Sequence, residues 1–199
     1  MRAVRRVTGR ALPLDRANVD TDQIIPAHWL KRVERTGYGA GLFEAWRREG
    51  AFVMNDPRYA GASILIAGAN FGSGSSREHA VWALDEAGFR AVVSPRLAEI
   101  FRANCLKSGV VPVEIDAEAA ARLMRSVIDS PATEITIDVS TGTLEAPSAG
   151  VRTGFPLDAV HRERLLRGLD DIEVTLGHVS EIASYELRRP SWLPRVSSV

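Results

Sequence analysis

Apolar residues in the middle of the chain fall in short unbroken runs separated by stretches of helical spacing, the pattern of strands buried on both faces and covered by helices. Residues 62–67, Ala-Ser-Ile-Leu-Ile-Ala, form one such run between Gly61 and Gly68 and predict a strand. The segment Gly-Ala-Asn-Phe-Gly-Ser-Gly-Ser-Ser follows. Residues 76–88 then place Ala80, Ala83, Leu84 and Ala87 on one helical face and stop at Gly88. The alternation repeats with residues 89–95 as strand, 96–109 as helix and 110–115 as strand, predicting an α/β fold with a parallel sheet and helical cover. From residue 133 the period changes. Thr-Glu-Ile-Thr-Ile-Asp-Val-Ser alternates apolar and polar positions before a Thr-Gly-Thr turn, the mark of an antiparallel or edge strand. Two helices are expected in the last third, over 155–168 after a Phe-Pro start and over 178–188 before Pro190, with an irregular tail beyond Trp192.

Composition narrows what this fold does. The chain has 199 residues, 45% hydrophobic and 25% charged, which suits one domain spanning residues 1–199. Acidic and basic residues number 25 each, so no overall field draws the chain to nucleic acid or an anionic membrane. No apolar run is long enough to cross a bilayer and the start lacks the apolar core of a secretion signal; a cytoplasmic location is expected. The lone Cys105 excludes an internal disulfide and a self-contained thiolate cage, and reads as a small apolar residue of its helix. The histidines at 28, 79, 161 and 178 lack the spacing of a helical metal pair, so no metal site is expected on this chain. His161 and His178 read as surface or capping residues.

Candidate chemistry lies in the loop from Gly68 to Ser76. In an α/β sheet, ligands gather beyond the carboxyl ends of strands, and glycines at 68, 72 and 74 let backbone N–H groups converge on a carboxylate or phosphate. A Walker loop would need lysine and a hydroxyl residue after its last glycine, where Gly74 is followed by Ser75 and Ser76. A dinucleotide fingerprint set on Gly72 and Gly74 would need a small residue at 77, which is Arg77. Arg77 offers a planar fork for a substrate carboxylate, and Ser75, near that cation and a helix N-terminus, is the candidate base. Glu78 and His79 fall in the first helical turn, where a dipole-complementing carboxylate and a capping imidazole serve structure as readily as chemistry. By local features alone, a serine N-cap with glycines in a tight turn explains the loop equally well.

The string GANFGSGSSREHAVWAL resembles the signature of the aconitase-superfamily swivelling domain. With LDRANVDTDQIIP, RTGYGAGLFEAW, IFRANCLKSGVVPV and LLRGLDDIEVTLGHVSEIASYE, in that order, almost the whole chain is similar to the small subunits of bacterial 3-isopropylmalate dehydratases. The resemblance implies a three-layer β/β/α swivelling domain that binds no cofactor itself and pairs with a large subunit holding a 4Fe-4S cluster. It implies isomerisation of 2-isopropylmalate to 3-isopropylmalate by loss and return of water, in leucine biosynthesis. Ser75 then matches the base, Arg77 a carboxylate ligand and Ser76 an assisting contact, with Gly72, Gly74 and Asn70 shaping the loop. Residues 29–36 resemble the substrate-discriminating segment, in which Leu30 and Val33 would meet the isopropyl group and Arg35 a second carboxylate. Arg35 and Lys31 read equally well as solvated surface charges. Asp20 and Asp22 match a stretch near the site, although an Asx-rich turn is the stronger reading of that sequence. The chain departs from the family pattern at Ser73 and Val81, outside the Ser75–Arg77 pair. Methylmalate-type or homoaconitate-type acids, or a non-catalytic anion-binding role, are the alternatives. Three glycines among Thr36–Gly41 read as a mobile stretch.

Overall fold

The structure, a computed structural model, describes residues 1–34, 36–190 and 192–193. In chain order its elements are β1 (Arg6–Leu14), α1 (Thr21–Ile24), α2 (Glu44–Arg47), β2 (Ile64–Ala67), α3 (Glu78–Glu86), β3 (Ala91–Ser94), α4 (Glu99–Ser108), β4 (Val111–Glu114), α5 (Ala117–Asp129), β5 (Glu134–Asp138), β6 (Thr143–Ala146), β7 (Val151–Gly154), α6 (Ala159–Arg167), α7 (Asp171–Leu176) and α8 (Val179–Arg188). Short 3₁₀ turns, including Ala27–Lys31 and Tyr38–Gly41, fill the long β1–β2 connection.

The strands join in the order β4-β3-β2-β1-β5-β6-β7. Pairs from β4 to β1 are parallel and pairs from β1 to β7 are antiparallel, matching the change of period at residue 133. Strand β1 links the two halves, and it divides its length to do so. Arg6–Arg10 pair with β5, whereas Ala11–Leu14 pair with β2. Its burial changes accordingly, from mostly exposed side chains to four consecutive buried ones. This strand is absent from the sequence reading because Gly9, Pro13 and its arginines break any single period. The same reading left out α5, β6, β7 and α7. For α5 a signal was present: Asp116 caps it by accepting the Ala119 N–H at 2.9 Å, and Ala119, Ala120, Leu123, Met124 and Val127 bury one face.

Strands β2 and β3 are buried at every position, as unbroken apolar runs require. Helices α3 and α4 lie side by side, with α4 against β4. Cys105 is fully buried on α4, and that burial pushes its thiol well above the ordinary range, favouring the neutral form. The carboxyl end of β2 opens into the loop 68–76, whose surroundings set the functional geometry. At the far end of the chain, α7 and α8 bury no residue and carry Ile172, Leu176, Val179, Ile182 and Tyr185 exposed. Among the described residues no helix is long and apolar enough to cross a membrane.

Candidate functional site at the carboxyl end of β2

Backbone hydrogen bonds on both flanks fix the path of loop 68–76. On one flank the Val19 carbonyl accepts the N–H groups of Gly72 (2.8 Å) and Ser73 (3.1 Å), and the Thr21 N–H donates to the Ser73 carbonyl at 2.9 Å. On the other flank the Asn70 N–H reaches the Arg96 carbonyl at 2.7 Å and the Ala98 N–H reaches that of Phe71 at 2.9 Å. Phe71 is buried between these flanks, edge-on to Phe101 at 5.3 Å. Asn70, at φ +61°, donates from its side chain to that of Asn18 at 3.0 Å. The loop is therefore laced into the fold before it reaches its serines.

Gly72 shows how little freedom that path leaves. It sits at φ +81°, and an added Cβ would lie 2.2 Å from Cγ of buried Phe101. Gly72→Ala combines left-handed strain with overpacking and is expected to cost roughly 2–5 kcal/mol of stability in denaturant unfolding. A loss under about 1 kcal/mol would contradict the tight contact with α4.

Helix α3 begins at Glu78, and its N-cap is Arg77 in extended conformation without a side-chain capping bond. The alternative reading of the loop as a serine N-cap is not what the chain adopts, because the helix starts two residues too late for Ser75, and one too late for Ser76, to take that position. Both serines are exposed, and neither hydroxyl has a partner among the described residues. Ser75 is held from behind instead, its carbonyl accepting the Thr21 hydroxyl at 3.0 Å. Glu78 is exposed in the first turn, close to the positive end of the helix.

Arg77 is not free in the way its sequence context suggested. Its Nη1 and Nη2 donate end-on to the two oxygens of Asp22, the second at 2.8 Å, and Nη1 also reaches the Ile25 carbonyl at 3.4 Å. The arginine side chain is 12% exposed and Asp22 56% exposed. A guanidinium has five N–H donors. The Nε–H and the second Nη2–H, which make up its side edge, have no partner among the described residues. A ligand carboxylate can take that edge with two parallel hydrogen bonds while Asp22 keeps the end.

Asp20 does structural work. It caps α1 by accepting the Gln23 N–H at 2.8 Å, and Gln23 returns the bond to the Asp20 N–H at 2.9 Å. Gly74, at φ +88°, lies beside it, 3.5 Å from the Asp20 Cβ if it carried a Cβ of its own. In the segment matched to substrate discrimination, Leu30 is half-buried and Val33 is 93% exposed. Arg35 lies outside the described residues. His79 packs against Tyr38 and Trp82, with ring centroids at 5.2 and 4.7 Å. Sequence reasoning missed Thr21 and Ile25, whose contacts with the loop lie more than fifty positions away in sequence. Only the Asx-rich Asn-Val-Asp-Thr-Asp run hinted that this stretch is fixed in place. The glycine-rich stretch expected to be mobile is held as a 3₁₀ turn with Tyr38 buried.

A family model described as the aconitase C-terminal domain matches residues 1–118. The chain is 57% identical over 187 residues to the 3-isopropylmalate dehydratase small subunit of Parafrankia sp., covering 94% of this chain and 95% of that one. It is 52% identical over 199 residues to the protein of the same name from Streptomyces coelicolor, covering 100% of both. Among solved structures it is similar to 3-isopropylmalate dehydratase from Methanocaldococcus jannaschii, with TM-score 0.63 and 22% identity over 91% of this chain and 99% of that one, a likeness of fold. With half or more of its residues shared across nearly its whole length, the chain belongs to the aconitase C-terminal domain family and, within it, to the 3-isopropylmalate dehydratase small subunits.

Proposed function

We propose that the chain is the small subunit of a cytoplasmic hydro-lyase that isomerises 2-isopropylmalate to 3-isopropylmalate in leucine biosynthesis, and that a larger iron-sulfur subunit completes its active site. The observation that carries this reading is the match to the Streptomyces coelicolor small subunit from end to end, 52% identical over 100% of both chains. The exposed Ser75 hydroxyl, the braced Arg77 with its open side edge, and their position beyond the carboxyl end of β2 support it.

The residues of this chain have separable tasks in such a reaction. Arg77 binds a substrate carboxylate through Nε and Nη2, fixing the neighbouring carbon relative to Ser75. Ser75 acts as its alkoxide, its own proton released to solvent and the anion stabilised by Arg77 and the amino end of α3: the oxygen takes the proton from that carbon, the C–H electron pair forms the double bond, and the hydroxyl group leaves with its own electron pair. Rehydration runs with the two carbons exchanged: hydroxide adds to the carbon that lost the proton, and Ser75 returns its proton to the carbon that lost the hydroxyl, which gives the isomer. Negative charge gathers on the substrate carboxylate in the transition state, and the fixed guanidinium and the amino end of α3 stabilise it there. The partner's cluster would supply Lewis acidity toward the departing hydroxyl. Among the described residues no group of three or more His, Cys, Asp or Glu side chains is arranged to hold a metal. The exposed apolar side chains of α7 and α8 are the kind of surface that a second subunit covers.

Co-purification with the large subunit, followed by assays on isopropylmalate, methylmalate and homoaconitate, tests the proposal. The isolated chain is expected to show no turnover and the pair to prefer the isopropyl compound. Turnover by the lone chain, or a pair active only on another acid, would overturn it.

A further inference from the structure

Two carboxylates from different helices bracket the segment that the family resemblance matches to substrate discrimination. Ahead of it stands Glu44, the first residue of α2. Its Oε2 accepts the Trp29 indole N–H at 2.6 Å and lies 3.0 Å from His28 Nε2, while its Oε1 accepts from Arg48 at 2.5 Å. The Trp29 bond first, then the charges of His28 and Arg48, hold the Glu44 carboxyl below its ordinary value against an opposing effect of burial. Trp29 is also pressed onto Gly41, where a Cβ would come within 2.6 Å of the indole ring.

Beyond the segment stands Glu86, the last residue of α3. Its two oxygens accept the Gly37 N–H at 3.1 Å and the Gly39 N–H at 2.9 Å. Gly37 reaches this position at φ +87°, and between the two glycines Tyr38 is buried against His79 and Trp82 of the same helix. Arg32 ties the two anchored ends together, its guanidinium 5.2 Å from the Trp29 ring and 6.0 Å from that of Tyr38. Glu86 is badly placed for the helix itself. A carboxylate at a helix C-terminus opposes the dipole, and the last turn of α3 has no basic residue to offset it.

We infer that Glu86 and Glu44 are positioning residues that set residues 30–34 at a fixed distance from Ser75 and so determine the size of the alkyl branch the site accepts. The link is α3, nine residues with Arg77 as its N-cap and Glu86 as its last member. Nine residues span about 13 Å of helix, so one rigid rod carries the carboxylate anchor at one end and the far hinge of the discriminating segment at the other. This inference rests on the function proposed above for its substrate but not for its geometry.

The test uses the assembled two-subunit enzyme carrying Glu86→Ala, Glu86→Gln or Glu44→Ala, with isopropyl- and methyl-branched substrates, and amide exchange on the isolated chain. Glu86→Ala is expected to raise KM for the isopropyl acid about tenfold and to lower the preference for it over the methyl acid by a similar factor, with kcat within about threefold, since fit to an alkyl group is at stake. Glu44→Ala is expected to shift the preference in the same direction. Glu86→Gln, which keeps a carbonyl acceptor for one glycine, is expected to recover much of the loss. Exchange at residues 30–40 should rise in Glu86→Ala while residues 68–77 stay protected. An unchanged preference in an active enzyme, or unchanged exchange at 30–40, overturns the inference. If exchange responds but the wild-type pair ignores isopropylmalate, the proposed function fails and the clamp stands.

Discussion

Ser75→Ala in the assembled enzyme is expected to lower kcat by about 10²–10⁴-fold while KM moves by less than about threefold, the range for removing a positioned base whose hydroxyl contributes little to substrate binding. The structure makes this a clean substitution. The Ser75 side chain is exposed and bonds to no described residue, while the loop is held through its carbonyl by Thr21, a contact alanine keeps. Folding is therefore expected to be unaffected, and thermal unfolding of the isolated chain checks that. Steady-state kinetics on both isopropylmalate isomers should show the same loss, because one proton acceptor serves dehydration and rehydration. A kcat within tenfold of the wild type would remove Ser75 from the base role and direct attention to Ser76.

The second large effect is expected at Arg77. Arg77→Lys keeps the positive charge but not the planar fork, and should raise KM by roughly 10–100-fold, the equivalent of about one charge-assisted hydrogen bond. Two competing effects have to be separated. Arg77 also pairs with Asp22, so a loosened loop would contribute to any loss. That pair is open to solvent on the Asp22 side, which is 56% exposed, and such pairs contribute about 0–1 kcal/mol. Asp22→Asn removes the brace and leaves the side edge of the guanidinium, and is expected to raise KM by less than about tenfold. If Asp22→Asn matched Arg77→Lys in KM, the arginine would be acting through the loop and not through the ligand.

Much of the parallel half of the fold was legible in the order of residues, because each piece announces itself over a short span. The apolar run before Gly68, the helical spacing after Arg77 and the glycine stops at 88 and 109 are local signals, and the elements they predict are present. The candidate chemistry was legible for the same reason, since the glycines, serines and arginine are contiguous. The last third was less so. Helix α8 follows its apolar spacing, but α7 was hidden by a short, acid-rich stretch, although Asp170 and Glu173 form a capping box there.

By itself the sequence determined the alternation of strand and helix, the loop at the end of β2 and the hydroxyl and guanidinium that the loop carries. Only the tertiary structure decided which neighbours they meet. It put β1 between the two halves of the sheet, gave Asp22 to one end of Arg77, withheld both serines from the helix cap and joined Glu86 to the backbone of Gly37 and Gly39. Helical and strand periods are set by steric preferences among adjacent residues, so they can be read along the chain. Contacts between residues some fifty positions apart depend on how several elements pack at once, and no local pattern encodes them.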